Sequence, residues 1–384
     1  LQINGPVGGG HLIFTNALEQ ELHALSMETK LIDPLEQGTL PTSMLWRTLR
    51  KMYEVGGGQG GILQRIYEVT RNNSDKGGFL INLARLELSL KYQDYPGTIV
   101  SDHAYTAIGR DFLIQGDVGA EKPYADKTSI VFVPVDEARE QLVKFGHPEH
   151  RIAQVGFFVP QEVRDPMVRE FRKDHLRAGR MHLGFFGTGA SPKAHFDLLQ
   201  KTLLPQLKSL IEDQRLKFTI YTWTNKRKAH EIERQVRALL PSYIPVIMNS
   251  DDTADGSWGV RIIYGNDRHD ATRRMLLAVA DIDCLITMLG ERTAWAAFMP
   301  EIPLPAVNFN CRANTSMSVD RGYVRPVIVT SESVEYIAEQ LKTGAIDMIA
   351  RLDKAAEELP VEGAVEAAKI IQAYSACGTI YDHE

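Results

Sequence analysis

Apolar residues fall along the chain in two alternating rhythms. Short compact runs bounded by Gly, Pro, Asp or Asn predict strands. Longer stretches with apolar positions three and four apart predict helices. "LQING" reads as the first strand, "HLIFTNALEQELHAL" as its helix and "TKLIDP" as the second strand. Thr42 to Tyr92 is mostly helical in pattern, broken by "GGGQGG" at Gly56 to Gly61, and strands follow at "GTIVSDHA", "SIVFVPV" and "RIAQVG". A polar helical stretch, "RDPMVREFRKDHLRAGR", then precedes a second series. That series opens with "MHLGFFGTGASPK" and continues through "KFTIYTW", "IPVIMN", "VRIIYG", "CLITML" and "LPAVNF", with an alanine-rich helix from Val361 to Tyr374 closing the chain.

Strands alternating with helices are the signature of βα units around parallel sheets. The expected class is α/β, with two doubly wound Rossmann-like domains facing across a cleft. Each opens on a strand that runs into a glycine-rich turn. The boundary is expected between Asp165 and Gly179, giving residues 1–170, residues 171–355 and a C-terminal helix, 356–384, that packs back on the first domain. In such sheets ligands bind outside the carboxyl ends of the strands, so a motif matters according to whether it sits at a strand end.

Composition narrows the classes. With 44% hydrophobic and 24% charged residues and no low-complexity tract, the chain reads as globular. A net charge of -6 argues against general nucleic-acid binding, which needs a basic surface. Cys284, Cys311 and Cys377 are too scattered for a disulfide framework or a metal knuckle and suit a reducing cytoplasm. No apolar run approaches the roughly 20 residues that span a bilayer, and the start lacks a leader pattern; the expectation is a cytoplasmic protein. One stretch bears on membranes. Within 42–54, "SMLWRTLRKMY" puts Leu45, Leu49, Met52 and Tyr53 at helical spacing with Trp46, Arg47, Arg50 and Lys51 around them. Such a helix either rests on anionic lipid, making the protein peripherally membrane-associated, or packs on a core with its basic face solvated.

Five stretches carry candidate chemistry. In "NGPVGGGH", Gly5, Gly8, Gly9 and Gly10 give G-x-x-G-G-G rather than the dinucleotide spacing G-x-G-x-x-G. Asp33, ending the second strand, is all that supports a dinucleotide reading. His11 stands where the helix begins, and the positive end of the helix dipole favours its neutral imidazole. A neutral imidazole is a competent base; the alternative is a cap or cleft wall. In "IVSDHAYTAIG", Asp102 and His103 fall at a strand end, where alternation sends only one of them toward a cleft. Asp102 reads as a base, as the group that holds His11 in its working tautomer, or as a turn cap. His103 reads as an acceptor contact.

"GFFGTGASPK" ends a strand and opens a helix at Ser191 and Pro192. Its free N–H groups with Gly187, Thr188, Gly189 and Ser191 suit a diphosphate, although the spacing is not that of a Walker A loop; the alternative is a packing turn. "LITMLGERTAWAAFMPEIPLPAV" passes from a strand through Gly290 and Glu291 toward a predicted helix, with Thr293 placed for a phosphate. "NFNCRANTSMSVDRGY" reads as a polar loop whose Asn308, Asn310, Arg312 and Asn314 suit sugar hydroxyls. No metal site is expected. Asp281 and Asp283 form a D-x-D, but at the starting edge of a strand, and Asp251, Asp252 and Asp255 read as loop solvation.

Taken in order, these stretches resemble the GT-B glycosyltransferases. The closest branch contains the bacterial lipid-linked peptidoglycan N-acetylglucosaminyltransferase and the galactolipid and diacylglycerol glycosyltransferases. Gly8, Gly9, Gly10 and His11 match that branch's glycine loop ending in histidine, and "TIVSDHA" is similar to its T-D segment. "HRIAQVGFFV" resembles V-x-G-x-P-V, and "FFGTGAS" resembles the second glycine loop. "ADIDCLITMLGERTAWAA" resembles A-D-x-x-x-x-R-S-G-x-x-T with Gly290 and Thr293 in register. Two positions depart. The family's ribose-binding glutamate, three residues after the threonine, is Ala296, and its Arg-Ser before the glycine is Met288-Leu289. Either Glu291 takes over, or the donor is not the usual uridine diphosphate sugar.

The resemblance implies transfer of a sugar from a nucleoside-diphosphate sugar to an acceptor hydroxyl without metal or cofactor, with inversion. His11 would be the base and Asp102 the second choice. Gly9 and Gly10 would leave room for the sugar or acceptor, and N–H groups at Gly187 to Ser191 and Gly290 to Thr293 would hold the leaving diphosphate. Two other readings stay open: a nucleotide-sugar epimerase on the same architecture, and a non-catalytic nucleotide- or sugar-binding protein, which Ala296 motivates.

Overall fold

A computed structural model describes residues 2–3, 10–33, 43–44, 47, 86–92, 94–104, 106–109, 112–120, 129–187, 193–249, 258–290, 292–306, 309–325 and 331–377. The chain divides into two compact units: residues 1–160 with 360–384, and residues 161–359.

The first unit is built on six parallel strands, β1 (Gln2–Ile3), β2 (Leu31–Ile32), β3 (Val100–Ser101), β4 (Phe112–Ile114), β5 (Ile130–Val133) and β6 (Ile152–Gln154), in the order β2-β1-β3-β4-β5-β6. Parallel pairing demands a crossover between strands. Helix α1 (Gly10–Ala24) supplies one, burying Leu12, Ile13, Phe14, Ala17, Leu18 and Leu22. Fully burying side chains of this size stabilises by about 1.5–3 kcal/mol each. The Phe14 ring lies over Gly116, where an added Cβ would stand 2.2 Å from its Cζ, so this position two residues beyond β4 must be this small. Strand β4 has no counterpart in the sequence prediction: its short apolar run, Phe112 to Ile114, is flanked by polar residues and gives almost no periodic signal.

Helix α2 (Asp136–Lys144) links β5 to β6. The chain's end then returns to this unit. Phe157 N donates to Pro360 O at 2.7 Å, Gly363 N donates to Phe157 O at 3.0 Å, and Phe158 bridges Glu362 in antiparallel sense. Gly156, at φ +98°, and Gly363 allow the approach: an added Cβ would lie 2.6 Å from Pro360 O at the first and 2.2 Å from Gly156 O at the second.

The second unit carries β7 (Met181–Phe186), β8 (Leu216–Tyr221), β9 (Val246–Met248), β10 (Val260–Ile263), β11 (Cys284–Thr287) and β12 (Glu301–Pro303), all parallel, in the order β12-β11-β7-β8-β10-β9. It opens with α3 (Gln161–Arg164) and α4 (Pro166–Arg177). Asp165 caps α4 by accepting from Met167 N at 2.8 Å, with Pro166 in the first turn, a strong helix start. The division therefore falls ahead of the expected Asp165 to Gly179 boundary. The cause is Arg172, which is fully buried and donates to Ile282 O (2.7 Å), Val279 O (2.8 Å) and Phe298 O (3.0 Å), fastening α4 to the second unit. Burial lowers its pKa to about 10, with Asp283, Asp165 and Asp281 opposing, so the guanidinium stays charged.

Helix α5 (Lys193–Leu198) runs through a π turn (Leu199–Leu203) into α6 (Leu204–Glu212), and α7 (Lys226–Leu239) and α8 (Arg268–Val279) follow their strands. Three expectations change here. The strand predicted at "LPAVNF" lies earlier, at Glu301–Pro303, where an edge position tolerates proline's missing donor. The helix after Gly290 is a 3-10 turn, Thr293–Ala297. The "polar loop" is helix α9 (Phe309–Asp320), because Cys311, Asn314, Met317 and Ser318 form one buried face at helical spacing. Helices α10 (Ser331–Thr343) and α11 (Ile346–Glu358) complete this unit. Helix α12 (Gly363–Cys377) packs on α1 in the first unit through Ala364, Ala367, Ala368 and Ile371, joining the core of Phe14, Ala17, Phe112 and Phe132.

Of the stretch from Thr42 to Tyr92, residues 43, 44, 47 and the helical 86–92 are described; the glycine break and most of the basic helix at 42–54 lie outside the described residues. Among the described residues no helix is long and apolar enough to cross a membrane.

Candidate functional site

Strand order locates one candidate edge in each unit. A doubly wound sheet reverses direction at a switch point, and the adjoining carboxyl ends splay apart to leave a crevice there. In the first unit the reversal lies between β1 and β3; in the second it lies between β7 and β11.

At the first of these, the sequence candidates from two distant stretches come together. His11 sits in the first turn of α1, and Asp102 and His103 directly follow β3. His11 Nδ1 lies 2.7 Å from the backbone carbonyl of Asp102. A carbonyl only accepts, so Nδ1 carries the proton and Nε2 holds the ring's lone pair. The carboxylate of Asp102 does not take part in this bond. It is buried and accepts from the Thr15 hydroxyl at 2.6 Å. Asp102 thus holds His11 through its main chain, and its carboxylate is engaged with Thr15 rather than presented as a base. The His103 ring meets His11 edge to face with centroids 4.7 Å apart, and both imidazoles are half-buried. Edge contact between Phe14 and His11, 6.1 Å between centroids, ties the imidazole to the core below it. Gly10 begins α1, while Gly9 lies outside the described residues. Asp33, buried after β2, is a strand-end residue as expected.

At the second switch point, β7 and β11 lie side by side, Phe186 opposite Thr287. Gly187 is buried at the end of β7; Thr188, Gly189 and Ser191 lie outside the described residues, as do Glu291 and Asn308. The Gly290 carbonyl accepts three donors: Thr293 Oγ1 at 2.6 Å, Thr293 N at 3.0 Å and Asn314 Nδ2 at 3.1 Å. Thr293 and Asn314 are both fully buried, so the threonine hydroxyl and the asparagine amide brace the turn from within. The phosphate and sugar contacts expected of them from the sequence would have to be made from these buried positions. Arg312 is exposed on α9. Cys311 Sγ would stand 3.4 Å from a Cβ at Gly290, which keeps the turn pressed against α9. Ala296 is buried within the 3-10 turn.

Other groups near this edge went unread. His195, two residues into α5, is buried. Its Nε2 donates to Pro305 O at 2.9 Å, and burial lowers its pKa to about 4, leaving it neutral. Arg292 is buried beside the Gly290 turn, its Nη1 3.5 Å from Met275 Sδ. Glu301, at the start of β12, is buried with no hydrogen bond to either carboxyl oxygen; desolvation pushes its pKa well above the usual range, with Arg292 opposing. No sequence signal flags Glu301, because a lone acid next to a proline-bounded strand reads as surface. Thr15 was legible: it stands four residues after His11 on a predicted helix, hence on the same face.

The D-x-D aspartates serve structure at the opposite strand edge. Asp283 accepts from His182 N at 2.7 Å and lies 3.5 Å from His175 Nδ1, and Asp281 lies 3.8 Å from Arg261 Nη1.

No protein-family model matches the chain, and no curated protein sequence does. Solved structures do. The chain is similar to S. aureus MnaA in a co-structure with UDP, at 12% identity and a TM-score of 0.52, over 97% of this chain and 94% of that one. It is also similar to Arabidopsis thaliana UGT89C1 complexed with UDP-L-rhamnose, at 13% identity and 0.51, over 98% and 97%. A third match is the UDP-GlcNAc 2-epimerase from Neisseria meningitidis bound to UDP-GlcNAc, at 10% identity and 0.51, over 98% and 99%. At such identities the likeness establishes architecture alone: two doubly wound parallel α/β units in one chain, the GT-B fold that the motifs resemble.

Proposed function

We propose that the protein is a glycosyltransferase that moves a sugar from a nucleoside-diphosphate sugar, with uridine diphosphate the first choice of carrier, to an acceptor hydroxyl. The observation that carries this reading is the His11 arrangement. An imidazole with Nδ1–H fixed on a carbonyl presents a basic Nε2 at the switch point of its sheet. The UDP ligands of the similar structures support the choice of donor. In the proposed step His11 Nε2 takes the acceptor hydroxyl proton while that oxygen bonds to the sugar's anomeric carbon. The bond from that carbon to the diphosphate oxygen breaks, and the nucleoside diphosphate leaves with the electron pair. Backbone N–H groups of the Gly187 to Ser191 turn and the start of α5 would stabilise the developing charge, with no metal required in the scheme.

Epimerisation of the donor itself is the second reading. It is favoured by His103 beside His11, because two imidazoles on one edge could serve a reaction that moves protons around the sugar. Incubating the protein with a panel of nucleotide sugars, with and without candidate acceptor alcohols, separates the readings. Transfer predicts sugar loss only when an acceptor is present; epimerised donor in its absence supports the second reading. Binding without either product supports a non-catalytic role. Under the transferase reading, His11→Ala retains nucleotide binding and loses about 10²–10⁴-fold in kcat, the usual contribution of a positioned base. An unchanged rate removes His11 from the role.

A further inference from the structure

Asp102 accepts two bonds from α1, one on its main chain and one on its side chain. Its backbone carbonyl accepts the His11 Nδ1–H at 2.7 Å, and its carboxylate accepts the Thr15 hydroxyl at 2.6 Å. His11 and Thr15 stand one turn apart on α1, and the Thr15 oxygen is also 3.1 Å from the His11 carbonyl. A hydroxyl has one proton, and the shorter contact to an anionic acceptor claims it. The result is a closed ring: imidazole, Asp102 main chain, Asp102 carboxylate, Thr15 hydroxyl, and α1 back to the imidazole. Thr15 and Asp102 are buried within it, while the His11 ring is half-exposed.

We propose that Thr15 is a positioning residue for His11: by binding the Asp102 carboxylate it fixes the carbonyl that keeps the imidazole in its Nδ1–H tautomer. The inference rests on the proposed role of His11 as base for its kinetic consequence, but not for the tautomer itself. Thr15 never touches substrate. It sets the direction of the Asp102 peptide, the first residue beyond β3. The tautomer of a histidine is set by the bond its other nitrogen makes, so freeing that carbonyl lets the proton move to Nε2 and silences the base.

The test uses the full chain with ¹⁵N-labelled histidine, the His11 signals being assigned by their loss in His11→Gln. Wild type is expected to show Nδ1 protonated and Nε2 bare. Thr15→Val, which keeps the shape and removes the donor, should shift His11 toward the Nε2–H form. It should also lower kcat about 10–100-fold, as small misplacements of a reacting group do, with donor KM held within about threefold on the same grounds. Thr15→Ser should restore both. Thr15→Cys, a weak donor, is read in parallel and should fall between, so that the comparison survives if the valine variant is unstable. A Thr15→Val protein that keeps the Nδ1–H tautomer and normal kcat overturns the proposal while leaving the transferase reading intact. A tautomer shift in a protein that transfers no sugar supports the positioning role and defeats the transferase reading.

Discussion

Arg172 offers the most direct test of how the second unit is held together. Its guanidinium joins three carbonyls that belong to different elements: Val279 at the end of α8, Ile282 just before β11, and Phe298 just after the 3-10 turn. Those last two flank the Gly290 turn on either side. Arg172→Met keeps the apolar stem and removes every donor. Val279 O keeps the Ile282 N–H, 3.2 Å away, so the loss falls on Ile282 O and Phe298 O, at up to about 1–3 kcal/mol for each buried carbonyl left without a partner. Against that gross loss stands the desolvation cost of the guanidinium, several kcal/mol, which the variant no longer carries. The net expectation is a loss of about 1–3 kcal/mol, the remainder of the carbonyl cost after the guanidinium's desolvation is relieved. In a unit of this size each kcal/mol moves Tm by about 2–4 °C. The second unit should therefore melt about 2–12 °C below its wild-type temperature by the same relation. Differential scanning calorimetry reads this directly, and Arg172→Lys, which can satisfy only part of the trio, should fall between. A methionine variant that melts within about 2 °C of wild type, below what a single kcal/mol would produce, would refute the reasoning.

The remaining predictions concern pH and packing. His195, held near 4 by burial, and His182, lowered well below its ordinary value by burial and by Lys217 and Arg261, stay neutral in the folded state. A free histidine titrates near about 6.5, so from there down to about pH 4 the unfolded chain binds protons that the folded chain refuses. Stability is full above that window and falls as pH falls through it, by up to about 1.4 kcal/mol per pH unit for each histidine. His195→Leu should flatten the slope in urea unfolding, and an unchanged slope would show that His195 is not its source. His175 acts in the opposite sense. Its hydrogen bond to Asp283 raises its pKa, so its contribution is full below the free value and fades as pH rises through the raised one. Gly116→Ala drives a methyl into the Phe14 ring and should destabilise the first unit by about 1–3 kcal/mol, the usual cost of overpacking. Pairing it with Phe14→Leu should recover part of the loss; additive penalties would show that the two positions are not coupled.

Much of the fold can be read from the sequence because parallel strands buried on both faces write themselves as apolar runs. Met181 to Phe186 and Leu216 to Tyr221 are legible for that reason. Strand β4 is not, since three residues carry no period. Helix α9 reads as a loop because its buried face is made of Asn314, Ser318 and Cys311 rather than Leu and Val, and burial of polar groups depends on partners the sequence does not display. The pairing of His11 with Asp102 was foreseeable as two strand-end motifs. Which Asp102 atom holds the imidazole was not, because it turns on a hydroxyl one helical turn away. For the same reason the bonds by which Thr293 and Asn314 brace the Gly290 turn are not visible in the sequence.

The return of the chain at Pro360 has a consequence for synthesis. The first unit's core includes Ala364, Ala367, Ala368 and Ile371, so residues 1–160 wait for a segment made only after the whole second unit. The second unit is continuous and can close on the ribosome as soon as it emerges. Until α12 arrives, the α1 surface around Ala17 and Phe14 is an open apolar face in a nascent chain. The protein is thus assembled from the middle outward, and a stop after Leu359 should leave a folded second unit tethered to an unfinished first one.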